Sequence, residues 1–306
     1  MAERDVHIVE VSARDGLQND PAFLTTEQKV ELVARTTRAG LDRAEVASFV
    51  NPKRVPQMAD AEPVLEGLAS ELSPEQLTRI GLVLNVRGIE RAVDTSLQEV
   101  NVVVVSTDTF ANRNQGTDTA GLIEVLKQVV PIAKEAGIKP TVTLAASFGC
   151  PFEGEVPIDR SVELSEKVAA TGVEEIALAD TIGVGVPADV RARFDRVRAV
   201  TGDIPLRAHF HNTRNTGYAN ALAAYESGVT ILDASLGGIG GCPFAPKATG
   251  NIATEDLVYL FERSGIKTGV NLEQLMEDAL WLEGVLGHGI TGQLAKAGTF
   301  PGQLLD

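Results

Sequence analysis

The sequence has few cysteines and a deficit of basic side chains. Its 306 residues include two cysteines, Cys150 and Cys242, which are too few for a disulfide framework and favour a reduced, cytoplasmic setting. Lysine and arginine number 27 against 42 acidic residues, which gives a net charge of −15. Because nucleic acids and anionic membranes are bound mainly through Lys and Arg, we expect neither as a partner.

Long apolar runs are also missing. No stretch approaches the roughly 18 apolar residues of a membrane span. The charged start, MAERDVHIVEVS, runs directly into a strand-like segment, so no signal peptide is predicted. No Pro/Gly/Ser-rich linker or low-complexity segment divides the chain. We therefore predict a single domain over residues 1–306.

What the sequence does contain is a regular alternation of short β-branched runs and helical patterns. Most of the runs are almost continuously apolar, as parallel strands covered on both faces are. The eight strand-like runs lie at residues 6–12, 43–49, 79–85, 100–106, 140–147, 174–180, 205–212 and 229–235. Eight β/α units predict an α/β fold, a (β/α)8 TIM barrel, with a doubly wound parallel sheet as the alternative. The barrel is predicted over about 6–265, and a C-terminal helical extension over about 270–306.

Polar side chains are concentrated where the predicted strands end. In a TIM barrel these ends carry the active site. The candidate site residues are Arg14 and Asp15 after the first strand, Glu45 in the second, Asp180 at the end of the sixth, His209 and His211 at the end of the seventh, and Cys242 and Asn251 in the loop after the eighth.

The two histidines of the HFHN segment suggest a metal site. His209 and His211 are two residues apart on a strand, so their side chains project to the same face. A carboxylate from Asp15 and an amide oxygen from Asn251 would complete a ligand set suited to six-coordinate Mg²⁺ or Mn²⁺, with zinc also open. The alternative is a pair of hydrogen-bonded core histidines. The several carboxylates at neighbouring strand ends favour the metal site, because buried carboxylates without a cation are costly.

Two further candidates each have a second interpretation. Arg14 either forms a structural ion pair with Asp15 or holds a substrate carbonyl or enolate oxygen. Cys242, in the glycine-flanked segment GGIGGC, is either a small buried hydrophobe or a thiol on a mobile loop. The glycines are interpreted as a hinge, since no nucleotide-binding fingerprint precedes them. Cys150 is interpreted as a packed thiol.

Several motifs together resemble one known family. The segments VEVSARDGLQND, AEVASFVNPKRVPQMAD, SFGCPFEGEV, ADTIGVGVP, HFHNT and GGIGGCPFAPKATGNIATEDLVYLF are similar, in this order, to motifs of the 3-hydroxy-3-methylglutaryl-CoA lyases. These are metal-dependent aldol lyases built on TIM barrels. The resemblance runs from about residue 6 to about residue 290.

The resemblance implies a function and a role for each residue. It implies that a divalent cation, Mg²⁺ or Mn²⁺, is bound by Asp15, His209, His211 and Asn251. Arg14 would stabilise the enolate, Cys242 would help to move the proton, Asp15 or a histidine such as His209 would take the hydroxyl proton, and Glu45 and Asp180 would be polar partners. The implied reaction splits 3-hydroxy-3-methylglutaryl-CoA into acetoacetate and acetyl-CoA. A small acyl-CoA thioester substrate, a homodimer and a place in leucine degradation follow from the same resemblance.

The sequence departs from the family pattern at four places. Asn212 replaces an Asp after the second histidine, Ala179 replaces a Gly, Pro21 stands where a Lys is common, and Gly287–Gly289 replace a CoA-contacting Asn and Lys. These changes motivate an alternative substrate, such as citramalyl-CoA or another branched 3-hydroxyacyl compound. A non-catalytic barrel that serves as a binding module is the alternative from another class.

Overall fold

The eight predicted strand runs form eight parallel strands that close into a barrel. The computed structural model describes residues 4–241 and 250–301. The strands are β1 His7–Glu10, β2 Arg43–Ser48, β3 Thr78–Val83, β4 Glu99–Val105, β5 Lys139–Ala145, β6 Ile176–Asp180, β7 Leu206–Phe210 and β8 Ile231–Ala234. Strand β1 pairs with both β2 and β8, so the sheet has no edge. The TIM-barrel prediction is confirmed, and the doubly wound alternative is wrong.

Helices on the outside connect the strands, and most have clear sequence signals at their ends. The helices are α1 Thr26–Arg38, α2 Ala61–Glu71, α3 Val86–Ala92, α4 Asp108–Gln115, α5 Thr119–Glu135, α6 Ile158–Ala169, α7 Pro187–Thr201, α8 Gly217–Glu226, α9 Thr254–Arg263, α10 Leu272–Leu286 and α11 Leu294–Ala297. Thr25 and Gln28 form a reciprocal capping box at the start of α1. Within residues 4–241 and 250–301, no helix is both long and apolar enough to cross a membrane.

The apolar core lies between the strands and the helices, whereas the inside of the barrel is strongly polar. Near the amino ends of the strands, Arg43 donates to Glu99 at 2.5 and 3.1 Å and to Glu175 at 2.8 Å. All three side chains are buried, so the charges compensate one another away from water. A small apolar cluster also lies apart from the main core and contains Val9, Val11 and Ile80.

The C-terminal extension packs against the segment that follows β8. The carbonyl of Gly237 accepts hydrogen bonds from Thr291 N–H at 3.0 Å and Gly292 N–H at 2.9 Å. The carboxylate of Asp256 caps α11 by accepting from the backbone of Gln293 and Leu294. The helical extension is therefore tied to the carboxyl end of the barrel. The single-domain organisation stays a prediction.

Two buried glutamates accept hydrogen bonds from the backbone of the Leu236–Gly238 turn, which follows β8. Glu10 Oε1 accepts from Leu236 N–H at 3.0 Å, and Glu255 Oε2 accepts from Gly237 N–H at 3.0 Å. The other oxygen of Glu255 is buried and has no hydrogen-bond partner in the part of the chain that the structure describes. Burial, with further contributions from the charges of Asp256 and Glu10, raises the pKa of Glu255 to about 8.

Glu255 should make the stability of the protein depend on pH. Its pKa rises from 4.5 in the unfolded chain to about 8 in the folded one, so the folded state retains a proton that the unfolded state has lost. The free energy of unfolding should therefore fall as pH rises from about 4.5 to about 8, by on the order of 5 kcal/mol. Glu255→Gln, which mimics the protonated form, should remove this fall.

Urea unfolding measured across this pH range tests the prediction. Glu277→Gln, at an exposed position of α10, is the matched control and should leave the pH dependence unchanged. If Glu255→Gln retains the full pH dependence of the wild type, the assignment to Glu255 is wrong.

Candidate functional site

Arg14 and Asp15 lie on a short π-helical turn, Ser12–Gly16, that follows β1 directly. Backbone N–H groups of Arg14 and Gly16 close the turn on the carbonyl of Val11 at 3.2 and 3.1 Å. Glycine is needed at position 16, because a Cβ there would lie 2.7 Å from Ile239 Cγ1. Such turns are rare and are often found at functional sites. This one places both charged side chains in the wall of a cavity at the barrel mouth.

The two histidines meet Asp15 at this mouth. Their ring centroids are 5.2 Å apart. One ligand atom from each of Asp15, His209 and His211 lies within 4.8 Å of the others. Strands β1 and β7 are separated in the barrel only by β8, so residues 194 positions apart in the sequence become neighbours. The structure thus brings three of the four predicted ligands into one cluster.

Asn251 lies beside the same cluster. It forms an isolated backbone bridge with His211, and its Nδ2 donates to Asp15 Oδ2 at 2.8 Å and to Ile239 O at 3.2 Å. A carbonyl only accepts hydrogen bonds, so the amide nitrogen, and not the amide oxygen, must face Ile239. Glycine at position 240 permits this contact, because a Cβ there would lie 2.6 Å from Asn251 Nδ2.

The electrostatics of the cluster suit a cation. Burial opposes ionisation of Asp15, but the charges of Arg14, His209 and His211 hold its pKa at about 2. Burial, assisted by His209, lowers the pKa of His211 to about 4. At neutral pH the cluster therefore offers an ionised carboxylate and a neutral imidazole. The Nδ1 of His211 is buried and has no hydrogen-bond partner among the described residues, so no protein contact there competes with a ligand.

Asp233 is a candidate site residue that the sequence does not reveal. Its Oδ2 lies 3.0 Å from His209 Nδ1, and the register of β7 and β8 pairs the two residues directly. Burial opposes protonation of His209, but this hydrogen bond and the charges of Asp233 and Asp15 raise its pKa overall. Because Nδ1 is engaged, Nε2 is the nitrogen left to bind a metal. An acidic residue inside an otherwise apolar strand run, VTILDAS, was the available signal.

Arg14 is held between two carboxylates. Its Nη1 donates to Asp15 at 2.9 Å and its Nη2 donates to Glu45 at 2.5 Å. The remaining nitrogen, Nε, is buried and has no hydrogen-bond partner within residues 4–241 and 250–301. The two interpretations of Arg14 in the sequence are therefore compatible: it forms an ion pair, and it also faces the cavity. Glu45 lines the same cavity and fixes the guanidinium in place.

Asp180 is placed differently from the other predicted site residues. Its two carboxylate oxygens accept hydrogen bonds from the backbone N–H groups of Val184 and Gly185, both at 2.9 Å. Its neighbours Ala179 and Thr181 line the cavity, whereas Asp180 does not. Asp180 therefore shapes the loop after β6 and contributes no cavity surface.

The two cysteines differ in what the structure describes. Cys242 lies outside the described residues, as does the rest of the segment 242–249. Cys150 is buried, and its Sγ accepts from Thr107 Oγ1 at 3.0 Å. This is the packed thiol that the sequence predicts. The preceding glycines, Gly237, Gly238 and Gly240, all have positive φ, so the segment leading to position 242 needs glycine backbone freedom.

The cavity at the barrel mouth has a volume of about 540 Å³. Its lining includes Arg14, Glu45 and the cluster of Asp15, His209 and His211. It also includes a second set of polar side chains, Asn51, Arg54, Asn85, Asn114, Gln115 and Thr117, together with apolar ones such as Val50 and Phe110. A cavity of this size and composition suits a small polar acyl group that enters with a longer handle.

The two segments that depart from the family pattern at Pro21 and at Gly287–Gly289 are in contact. His288 Nε2 lies 2.9 Å from Asp20 Oδ1, which joins the C-terminal extension to the loop after β1. The side chain of Asn212 turns away from the imidazoles and accepts from Gly217 N–H at 3.1 Å, at the start of α8. The residue after the second histidine therefore caps a helix here.

The fold is a closed (β/α)8 barrel, and imidazole, carboxylate and amide groups converge beside an arginine in its cavity. This combination defines a metal-assisted enzyme that acts on carbonyl compounds. The chain belongs to the HMGL-like family of carbon–carbon lyases, whose model matches residues 5–280. This membership confirms the family resemblance and the prediction of an enzyme.

Individual relatives agree with this assignment. The chain is 42% identical over 301 residues to an (R)-citramalyl-CoA lyase of Chloroflexus aurantiacus, covering 96% of this chain and 95% of the relative. It is 39% identical over 284 residues to a hydroxymethylglutaryl-CoA lyase of Bacillus subtilis, covering 93% and 94%. A solved HMG-CoA lyase from Acinetobacter baumannii, in complex with coenzyme A and 3-methylmalate, superposes with a TM-score of 0.94 at 37% identity, covering 100% and 99% of the two chains.

Proposed function

We propose that this protein cleaves 3-hydroxy-3-methylglutaryl-CoA to acetoacetate and acetyl-CoA with the help of Mg²⁺ or Mn²⁺. The convergence of Asp15, His209 and His211 at the cavity that also holds Arg14 carries the proposal. Asn251 supplies the fourth ligand through its amide oxygen. Oxygen-rich ligand sets with two imidazoles suit these ions better than the sulfur- and nitrogen-rich sets that zinc prefers.

The reaction is a retro-aldol cleavage, and the residues divide its tasks. When bound, the cation lowers the pKa of the substrate hydroxyl that it contacts. The hydroxyl proton is proposed to pass to Asp15, because both ring nitrogens of His209 are engaged, Nδ1 by Asp233 and Nε2 by the cation it would bind. The carbon–carbon bond breaks to leave a ketone, and its electrons move into the thioester as an enolate. Arg14 stabilises the enolate oxygen by charge-assisted hydrogen bonds.

The enolate must then gain a proton on carbon to become acetyl-CoA. Cys242 is the proposed proton carrier, on the basis of the family resemblance and its place after the glycines that follow β8. Asp180 takes part indirectly, by holding the loop that contributes Thr181 to the cavity. Glu45 takes part by orienting Arg14.

The coenzyme A handle is proposed to lie toward Arg54 and Asn114 of the cavity lining. Where the family carries an Asn and a Lys that contact CoA, this chain has Gly287–Gly289, and His288 is paired with Asp20, so Arg54 is the basic side chain proposed to recognise the handle. A homodimer, a cytoplasmic location and a role in leucine degradation belong to the same proposal. They are supported by the family resemblance and, for the location, by the scarcity of cysteine.

Citramalyl-CoA is the second candidate substrate. The 42% identity to an (R)-citramalyl-CoA lyase favours it, as do the departures at Asn212 and Gly287–Gly289. The chemistry is the same, but the carboxylate of citramalyl-CoA is attached directly to the carbinol carbon, and the ketone product is pyruvate.

A panel of thioesters assayed with metal-free and metal-restored protein tests the function. We expect EDTA to abolish acetyl-CoA release and Mg²⁺ or Mn²⁺ to restore it. Formation of acetoacetate supports the first substrate, whereas formation of pyruvate from citramalyl-CoA with a higher kcat/KM supports the second. Absence of turnover for every thioester, with every metal, would contradict the proposed function.

A further inference from the structure

A buried arginine, Arg207, lies one layer below the metal ligands on the same face of β7. It precedes His209 by two residues, so both side chains project into the barrel. Arg207 is only 2% exposed. It does not line the cavity and is not among the residues that the family resemblance assigns a role. Its contacts nevertheless reach both the metal ligands and the cavity wall.

Three groups share the guanidinium of Arg207. Its Nη1 lies 3.4 Å from Glu175 Oε1, its Nε lies 3.4 Å from Asp233 Oδ1, and its Nη2 lies 3.5 Å from Thr143 Oγ1. Burial alone would raise the pKa of Glu175, but Arg207 and Arg43 lower it to about 2. The charge of Arg207 therefore acts on its buried neighbours although each contact is long.

The contact with Asp233 leads to the metal centre. Asp233 Oδ2 accepts from His209 Nδ1 at 3.0 Å. Among the described residues, Asp233 Oδ1 has no hydrogen bond, and Arg207 is the only side chain besides His209 within ion-pair distance of the Asp233 carboxylate. A buried carboxylate needs a compensating cation and a fixed orientation. Arg207 supplies the charge on one oxygen while the other oxygen orients the imidazole.

The contact with Thr143 leads to the cavity wall. Thr143 Oγ1 donates to Asn101 Oδ1 at 3.0 Å, and Asn101 Nδ2 lies 3.4 Å from Glu45 Oε1. Glu45 in turn holds Arg14. A chain of polar contacts therefore runs around the inside of the barrel from His209 to Arg14, and Arg207 joins its two halves.

We propose that Arg207 is a positioning residue for the metal centre, acting on His209 through Asp233. The proposal rests on the metal-dependent function proposed above. The other ion pairs inside the barrel differ in this respect: Arg43 forms shorter contacts with Glu99 and Glu175 and touches neither the metal ligands nor the cavity wall. Its role is accounted for by stability alone.

Mn²⁺ binding to the full-length, metal-stripped protein, followed by electron paramagnetic resonance, tests the proposal without any substrate. Partners that orient a metal ligand typically contribute about 10- to 100-fold to metal affinity. Because Arg207 acts through one intervening residue, we expect Arg207→Met to weaken Mn²⁺ binding roughly 10-fold. Arg79→Met is the matched control, since Arg79 is equally buried but bonds only to backbone carbonyls of Leu72 and Ser96. It should leave the Mn²⁺ affinity within about twofold of the wild type.

A double-mutant cycle with Asp233→Asn separates positioning from general stabilisation. If Arg207 acts through Asp233, then Arg207→Met should have little further effect on Mn²⁺ affinity once Asp233 has been changed. Independent effects that multiply, or an Arg207→Met protein that binds Mn²⁺ as the wild type does, would overturn the proposal.

Two further variants keep the test decisive if Arg207→Met does not fold. Arg207→Met combined with Glu175→Gln removes one charge of each sign, so the buried network stays balanced, and the same roughly 10-fold loss is expected. Arg207→Lys keeps the positive charge but loses the planar guanidinium that contacts several groups at once. This variant should bind Mn²⁺ with an affinity between those of the wild type and Arg207→Met. Wild-type affinity in both variants would overturn the proposal. A protein that shows these Mn²⁺ effects but cleaves no thioester would contradict the proposed substrate and leave the role of Arg207 intact.

Discussion

Asp15→Asn is expected to abolish metal-supported cleavage. Among the described residues, Asp15 supplies the only carboxylate of the proposed ligand cluster, and its pKa of about 2 means that the surroundings favour the anion. A neutral amide keeps an acceptor oxygen for Asn251 but loses the attraction to the cation. Since a bound cation contributes several kcal/mol to stabilising the transition state, kcat should fall roughly 10³-fold or more. Mn²⁺ affinity, measured by titration, should fall with it.

Asp278→Asn is the matched control for this substitution. Asp278 is also buried and also paired with an arginine, Arg35, but it lies on α10 outside the cavity. The Asp278→Asn substitution should lower the free energy of unfolding without changing the Mn²⁺ affinity. Unchanged Mn²⁺ binding in folded Asp15→Asn would mean that Asp15 is not a metal ligand.

Arg14→Lys is expected to slow the reaction with little change in metal affinity. Lysine keeps a positive charge beside Asp15 and Glu45 but cannot present the planar fork that reaches both carboxylates and an enolate oxygen. Loss of one preorganised donor to a developing oxyanion typically costs about 10²- to 10³-fold in kcat. Because this interaction forms fully only in the transition state, KM should change much less than kcat.

Steady-state kinetics on the preferred thioester, together with Mn²⁺ titration, check this expectation. Arg193→Lys is the control, since Arg193 is a buried arginine that pairs with Asp189 on α7. It should leave kcat near the wild-type value. A rise in KM at constant kcat for Arg14→Lys would show that Arg14 binds the substrate and its transition state equally, which contradicts the enolate role.

The sequence predicted the barrel because its strands are local and repetitive. Each β-branched run is followed by an amphipathic segment, and this alternation depends on neighbouring residues alone. The pattern of β4, for example, is visible in VNVVVVS without any knowledge of its partners. Closure of the sheet was harder to predict, because the pairing of β1 with β8 joins segments more than 220 residues apart.

The structure brings some of the predicted site residues together and not others, and the difference has a physical basis. Asp15, His209 and His211 were found because their residue types and spacing carry metal chemistry in the linear sequence. Asp233 was missed because its partner lies on another strand, and its importance comes from the strand register. Asp180 looked like a cavity residue, but alternation along β6 placed its neighbours in the cavity and its carboxylate on loop amides.

The sequence by itself determined the class of fold, the family, and the residue types available for binding a cation. These depend on short-range periodicity and on motifs that keep their order along the chain. The tertiary structure alone decided that Asn251 donates to Asp15, that Asp233 contacts His209, and that Arg207 contacts both Asp233 and Thr143 of the cavity wall. The reason is that hydrogen bonds, ion pairs and burial are set by distances of a few ångströms between distant segments, and only the closed barrel fixes those distances.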